Sequence, residues 1–184
     1  MAQSWRVIRE RNKRPAPALD EEGLERLALF YAGRYATTRH KLRAHLSRKL
    51  RERGWAGGNA PQVDRLIEKF ERLGYVDDRA FASSRAAALT RRGYGERRVA
   101  EALRAAGIDA EDAEGARAEA KAEAWAAVLR FAERRRIGPW AAGPPDREAR
   151  QKAFAAMLRA GHDMAQIRRL LDAAPGEIPD SDGE

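Results

Sequence analysis

The chain has 184 residues, carries 36 Lys and Arg against 28 Asp and Glu for a net charge of +8, and contains no cysteine. Disulfide frameworks, thiol catalysis and cysteine-based zinc sites are therefore excluded, and no apolar run is long enough to predict a membrane-spanning helix. Alanine occupies 38 positions, whereas Val, Ile and Thr together occupy 14. Because helices favour Ala, Leu, Arg and Glu while strands favour β-branched residues, the composition predicts an all-α protein.

The first two helices are marked by capping residues and a glycine. Residues 1–18 are basic and contain prolines, which predicts a disordered tail without an apolar signal core. Asp20 suits the N-terminal cap of a helix that extends to about Tyr35, and Thr37 is expected to cap the second helix. That helix is expected to end at Gly54, because glycine accepts the positive φ of a C-terminal cap.

Three further helices follow, with similar start and end signals. Pro61 fits the first turn of the third helix, whose apolar residues form the cleanest amphipathic stripe of the chain before Gly74 ends it. The fourth helix is predicted to run from Asp78 to near Gly93, and the fifth to cover residues 95–106. This part of the chain is therefore predicted to form short helices separated by glycine turns.

The last part of the chain is helical with one clear break. Asp109 suits the cap of a helical pattern over residues 110–136, which fits either one bent helix or two. Residues 138–145 are rich in Gly and Pro and interrupt the pattern. An eighth helix is predicted to end at Gly161, and Asp163 is the expected cap of the ninth.

Three helix–glycine turns recur at a nearly constant interval. Gly54, Gly107 and Gly161 lie 53 and 54 residues apart, and each is followed by one bulky residue, a short loop and another helix. Such a repeat predicts an elongated, curved array of three tandem three-helix repeats. The chain is accordingly divided into a basic disordered tail (1–18), repeat 1 (19–77), repeat 2 (78–122), repeat 3 (123–173) and an acidic disordered tail (174–184).

Large apolar side chains cluster where the first two repeats meet. Phe70, Leu73, Tyr75 and Phe81 lie within twelve positions of one another, on both sides of the predicted boundary. Repeat proteins depend on contacts between neighbours. These four side chains are therefore expected to form a core between repeats 1 and 2.

The sequence shows no motif that favours catalysis. It contains no glycine-rich phosphate-binding loop, and His40 and His45 are too far apart around a helix to share a metal ion. His162 follows a repeat glycine, at a position that favours packing. The paired acids Asp77 and Asp78 lie at a helix start, where capping explains them. We therefore expect a protein that is not an enzyme and has no catalytic residue, metal site or cofactor.

Basic charge is concentrated in the N-terminal part and points to an anionic partner. Residues 1–107 hold 24 Lys and Arg against 13 acids, whereas residues 108–184 hold 12 against 15. The densest segment surrounds a tyrosine in a glycine turn, with candidate binding residues Arg91, Arg92, Tyr94, Arg97 and Arg98. Arginines pair bidentately with phosphates or carboxylates. The alternative is that Tyr94 packs in the core and the arginines are solvated.

A second basic set lies on the second predicted helix. Its candidate binding residues are Lys41, Arg43 and Arg48, and further cations surround them. These cations spread around the helix axis. A solvated helix face therefore explains them as well as a binding surface does.

A family resemblance rests on a motif after the third predicted helix and on the segment that follows it. The motif is Leu73-Gly74-Tyr75-Val76-Asp77-Asp78-Arg79-Ala80-Phe81-Ala82. It is similar to the signature of the RecX regulatory proteins, which modulate the RecA recombinase. Residues 91–108 resemble the next segment of that family, and the threefold repeat matches its architecture. The third repeat departs from the pattern over residues 138–145 and at His162.

The resemblance implies a cytoplasmic regulator that lodges in the helical groove of a RecA–DNA filament. We expect the protein to be a monomer. It would modulate, and mostly inhibit, the ATPase, strand-exchange and coprotease activities of RecA. It would thereby regulate recombinational DNA repair and the SOS response. Its expected partner is the RecA filament on DNA, with single- and double-stranded DNA as further candidates and no membrane.

A stand-alone DNA-binding protein with helix-turn-helix units is the alternative. Basic charge and three-helix units permit such a protein. However, no predicted helix carries the run of Asn, Gln and Arg that reads base edges. Comparing binding to naked and RecA-coated DNA discriminates between these two functions.

Overall fold

The computed structural model describes residues 17–181, and over that range the protein is all-α. The N-terminal tail up to residue 16 and the last three residues of the acidic tail lie outside the described residues. The helices, which include one short 3₁₀ turn, are α1 (Glu21–Arg34), α2 (Arg39–Arg53), α3 (Val63–Arg72), α4 (Asp78–Arg91), α5 (Glu96–Ala105), α6 (Ala110–Ala122), α7 (Ala124–Arg135), the 3₁₀ turn (Gly138–Trp140), α8 (Arg147–Arg159) and α9 (Met164–Asp172).

The helices pack in threes around separate apolar cores, which confirms the predicted all-α fold of three-helix repeats. The first core joins α1, α2 and α3 through leucines and Phe70. The second, from α4 to α6, is built from small side chains with Val99 and Leu103 at its centre. The third, from α7 to α9, surrounds Met157 and Ile167. None of the helices described here is long and apolar enough to cross a bilayer.

Two of the predicted helix starts are wrong by a residue or two. The cap of α2 is Thr38, because its Oγ1 accepts from the Lys41 N–H at 3.2 Å, whereas Thr37 is buried beside it. Pro61 precedes α3 by two residues instead of opening it. Asp20 caps α1 as predicted, accepting from the Gly23 N–H at 2.8 Å.

Residues 110–136 form two helices, which decides between the two alternatives. The break falls at Glu123, whose φ of −87° and ψ of 6° end α6 immediately before α7 begins. Gly115 lies inside α6 and does not interrupt it. The last residues that the structure describes, 173–181, contain no helix, and the Gly176 N–H donates to the Pro139 carbonyl at 2.8 Å.

The prediction that Leu73 and Tyr75 belong to a core between the first two repeats is wrong. Phe70 is buried in the first core and Phe81 packs on the second, but Leu73 is 58% exposed and Tyr75 is 48% exposed. The chain reverses at Gly74, which has a φ of 75°, and Val76 takes the buried place. Tyr75 instead lays its ring 5.3 Å from that of Phe70 at the surface.

The first and second units meet at the start of α2 and the end of α5. Thr38 Oγ1 donates to the Ala106 carbonyl at 2.7 Å, so one hydroxyl both caps α2 and joins the units. The His40 side chain covers Gly107, where an added Cβ would lie 2.2 Å from the ring. Gly107 is therefore required at this turn for two reasons: it adopts a positive φ of 73°, and it leaves room for the His40 ring.

The second and third units meet in the same way, one repeat further along. The Gly95 N–H donates to the Ala160 carbonyl at 2.9 Å, and the Arg97 N–H donates to the Gly161 carbonyl at 3.3 Å. The Arg97 guanidinium also donates to the His162 carbonyl at 2.6 Å. In both joints, the start of the middle helix of one unit rests on the glycine turn of the next unit.

The first glycine turn has no preceding unit in the described chain, and the segment before α1 occupies it. The Leu19 N–H donates to the Gly54 carbonyl at 3.0 Å, and the Ala56 N–H donates to the Leu19 carbonyl at 2.8 Å. The Arg53 side chain holds the Pro17 carbonyl at 2.8 Å. Residues 17–19 therefore fill the position that a neighbouring unit fills at the other two turns.

The backbone contact between the second and third units leaves no room for a methyl group at Gly95. An alanine at Gly95 would place its Cβ 2.3 Å from the Gly161 carbonyl oxygen, which belongs to rigid backbone. We expect Gly95→Ala to lower the free energy of unfolding by roughly 1–3 kcal/mol. The control is Gly115→Ala inside α6, where nothing lies within 4 Å and alanine should stabilise by about 0.5–1 kcal/mol. Urea denaturation of both variants measures this difference. Equal free energies of unfolding for the two variants would contradict the close contact between Gly95 and the Gly161 carbonyl.

Candidate partner-binding surface

A basic groove of about 740 Å³ lies where the start of α2 meets α4 and α5. Its apolar floor comes from Leu89 and alanines of α5. The other lining side chains are four cations, two aromatic rings and one acid: Lys41, Arg85, Arg92, Arg98, Phe81, Tyr94 and Glu101. We call these residues the basic groove. They come from both the first and the second three-helix units.

Helical spacing explains why these side chains face the same groove. On α4, Phe81, Arg85 and Leu89 follow one another at intervals of four residues, and Arg92 follows at the helix end. Residues four apart lie on one helix face. Arg85 was not among the residues singled out from the sequence, although its spacing from Phe81 could have indicated it.

Aromatic rings hold two of the groove cations in place. Lys41 Nζ lies 4.5 Å from the centre of the Phe81 ring, and the Arg92 guanidinium lies 5.5 Å from the centre of the Tyr94 ring. A cation over an aromatic face is attracted by the ring quadrupole. The half-buried Tyr94 also packs on the second and third cores, so it is both a packing residue and a groove residue.

The groove carries an excess of positive charge. Its single acid, Glu101, pairs with Arg98 at 3.1 Å, and both partners are more than half exposed. Lys41, Arg85 and Arg92 make no ion pair among the described residues. Such a concentration of cations over an apolar floor suits phosphates or carboxylates combined with apolar groups.

The other candidate cations lie elsewhere. Arg43 pairs with Asp64 at 2.8 Å, and Arg48 pairs with Glu52 at 3.7 Å. Arg91 faces a separate small pocket at the junction of α4, α6 and α7. The structure therefore brings Lys41, Arg92, Tyr94 and Arg98 together in the groove, and it places Arg43, Arg48, Arg91 and Arg97 outside it.

An ion network at the N-terminal end of α4 holds the first two units together. Arg39 lies among four acids, at 3.2 Å from Asp78, 3.3 Å from Glu71, 3.0 Å from Asp109 and in contact with Asp112. Burial opposes the charged form, but the hydrogen bond and charge of Asp78 and the neighbouring acids outweigh it and raise the pKa of Arg39. These contacts tie α2 to α3, α4 and α6.

Helix capping, the role expected from the sequence for Asp77 and Asp78, does not account for Asp78. Asp77 caps α4, accepting from the Ala80 N–H at 2.8 Å, as expected. Asp78 is only 3% exposed, and its carboxylate accepts from both the backbone and the side chain of Arg39. Its main role is thus to anchor the neighbouring unit, because a buried carboxylate needs such a partner.

Known proteins share the sequence pattern of this chain. Residues 77–116 match the family model described as RecX, second three-helix domain. Over 160 residues the chain is 32% identical to a protein of Myxococcus xanthus named Regulatory protein RecX, covering 83% of this chain and 86% of the relative.

Two solved structures share the fold. The crystal structure of RecX from Lactobacillus salivarius has a TM-score of 0.61 and 19% identity, over 82% of this chain and 96% of that one. A crystal structure of regulatory protein RecX has a TM-score of 0.60 and 19% identity, over 83% of this chain and 71% of that one. With the signature motif at Leu73–Ala82 and the relative of 32% identity, these findings show that the chain belongs to the RecX family of regulatory proteins.

Proposed function

We propose that this protein binds a RecA filament on DNA through the basic groove and modulates, mostly by inhibition, the ATPase, strand-exchange and coprotease activities of RecA. It would act in the cytoplasm, as a monomer and without enzymatic activity of its own, in recombinational repair and the SOS response. Family membership supports a regulatory role. The resemblance in the signature motif supports RecA as the partner that is regulated.

The observation that carries this proposal is the convergence of cations from two units on one groove. Lys41 comes from the first unit, whereas Arg85, Arg92 and Arg98 come from the second, and a single acid accompanies them. A surface of this kind attracts an anionic partner and steers its approach. Its apolar floor adds contact area that a purely solvated charge cluster lacks.

The groove is also pre-organised. Lys41 and Arg92 already lie over aromatic rings, so fewer side-chain rotamers have to be fixed when a partner binds. The Arg39 network and the Thr38 bond hold the two units that supply the cations. The groove is therefore suited to act as one binding surface.

Charge reversal in the groove tests the proposal. Each charge-assisted contact is worth about 1–3 kcal/mol, so Arg92→Glu with Arg98→Glu should weaken binding to RecA-coated single-stranded DNA at least about thirtyfold. The measurement is fluorescence anisotropy of labelled RecA-coated DNA across a salt series. Arg97 stays unchanged, because its guanidinium holds the third unit.

The matched control reverses two exposed arginines outside the groove. Arg43→Glu with Arg65→Glu makes the same change in net charge, involves no residue of the groove, and should weaken binding only modestly. Equal losses in both double variants would contradict a specific groove. Equal or tighter binding of the wild type to naked duplex would favour the stand-alone DNA-binding function instead.

A further inference from the structure

A second surface of the first unit presents planar side chains to solvent. Phe30 is 65% exposed and Tyr35 is 52% exposed, although α1 already buries Leu24 and Ala28 in its core. Single exposed apolar residues are ordinary. Here, however, two exposed rings belong to one connected group, made up of Phe30, Tyr31, Arg34, Tyr35 and His45. We call this group the aromatic ledge.

The ledge is continuous from one end to the other. The Arg34 guanidinium lies 5.9 Å from the centre of the Phe30 ring and 5.8 Å from that of Tyr35. The Tyr35 ring lies 5.5 Å from the Tyr31 ring, and Tyr31 stacks on His45 at 4.1 Å with an angle of 20° between the planes. Five planar groups are thus held together, with the two outermost aromatic rings of α1 open to solvent.

Two further cations lie beside His45, at one end of the ledge. Arg48 lies 3.3 Å from His45 Nδ1, and Lys49 follows it, while Glu52 pairs with both. Burial lowers the pKa of His45, and the charges of Arg48 and Lys49 lower it further against the opposing effect of Glu52. Together with Arg34, these groups leave a net positive charge beside exposed rings.

We propose that the aromatic ledge binds the unstacked bases of a single-stranded nucleic acid, with Arg34 and Arg48 contacting its phosphates. Bases stack on aromatic side chains and on arginine planes regardless of sequence, and cations along the same path hold the backbone. Duplex bases are already stacked on one another and cannot use such a surface. The proposal does not depend on RecA or on the basic groove, which contains none of the ledge residues.

The test measures binding of the full chain to a fluorescein-labelled oligothymidylate at low salt by anisotropy. Stacking on an aromatic side chain contributes about 1–3 kcal/mol per base, so Tyr35→Ala should weaken binding at least about fivefold. Adding Phe30→Ala should bring the loss to about thirtyfold or more. Tyr35→Phe keeps the ring and should bind as the wild type does.

Matched controls separate stacking from charge and from folding. Leu29→Ala removes a neighbouring side chain that is 46% exposed on the same helix and should leave binding unchanged. An oligonucleotide of abasic sites keeps the phosphates, so the wild type and the alanine variants should bind it equally. Helical circular dichroism should be the same for all variants, because the altered side chains are exposed.

Three results would overturn the proposal. One is that wild-type protein fails to bind oligothymidylate at low salt. A second is that Phe30→Ala with Tyr35→Ala binds oligothymidylate as tightly as the wild type. The third is that the ring variants bind oligothymidylate normally but lose binding to RecA-coated DNA, which would make the ledge a protein-contact surface. Reversal of the groove charges tests the proposed function separately.

Discussion

Replacing Phe70 with alanine is expected to lower the free energy of unfolding by about 3–5 kcal/mol. The ring is 2% exposed, lies in the first core and supports Tyr75 at 5.3 Å. Alanine would remove this apolar contact and leave a cavity that α1, α2 and α3 can fill only partly. Urea denaturation followed by circular dichroism measures the loss.

The same change at an exposed phenylalanine is the control. Phe30 is 65% exposed, so Phe30→Ala should alter the free energy of unfolding by no more than about 0.5 kcal/mol. Leu73→Ala should behave similarly, because Leu73 is 58% exposed although it lies in the signature motif. A similar loss at Phe70 and Phe30 would contradict the assignment of the first core.

Acidification is expected to destabilise the protein through His162 by up to about 3 kcal/mol. Burial lowers the pKa of His162 to about 4, Arg97 adds to this effect, and the nearby Gly93 backbone opposes it. The unfolded histidine, with a pKa near 6.5, therefore binds a proton more readily than the folded one. The contribution is fully present above pH 6.5 and is lost as the pH falls towards about 4.

The variant His162→Ile isolates this effect. Isoleucine is the residue at the equivalent turn position, Ile108, and it carries no titratable group. Unfolding free energies measured between about pH 7 and about pH 4 should fall less steeply for the variant than for the wild type. Parallel curves for the two proteins would show that His162 is not the acid-sensitive group.

The helices could be predicted because their signals are local. Asp20, Asp109 and Asp163 accept hydrogen bonds within their own first turns, and Gly54 and Gly107 take the positive φ that their turns require. Such signals lie within a few residues of each other. The glycine interval also indicated the repeat, since each glycine ends the middle helix of a three-helix unit.

Contacts between units could not be predicted in the same way. Arg39 and Asp78 lie 39 positions apart, and Thr38 contacts Ala106 over 68 positions, so no local spacing indicates either pair. Lys41 joins the groove because the start of α2 packs against the second unit, while Arg43, two residues later, pairs with Asp64. The sequence could identify candidate cations, but only the packing of the units separates those in the groove from those outside it.

The exposed part of the signature motif shows a further limit. Leu73 and Tyr75 flank Gly74, and their apolar character suggested a core position. The positive φ of Gly74 turns both side chains outwards and leaves Val76 in the core. Hydrophobicity alone therefore misplaces residues in a tight turn, where backbone direction decides which side chains are buried.

The measurement that tests the central proposal most directly is the ATPase rate of RecA on single-stranded DNA with this protein titrated in. Wild-type protein should lower the rate when present at less than one molecule per RecA protomer. The Arg92→Glu and Arg98→Glu double variant should leave the rate close to that of RecA alone while keeping its helical spectrum. Full inhibition by this folded variant, or an unchanged rate with the wild type, would contradict regulation of RecA through the basic groove.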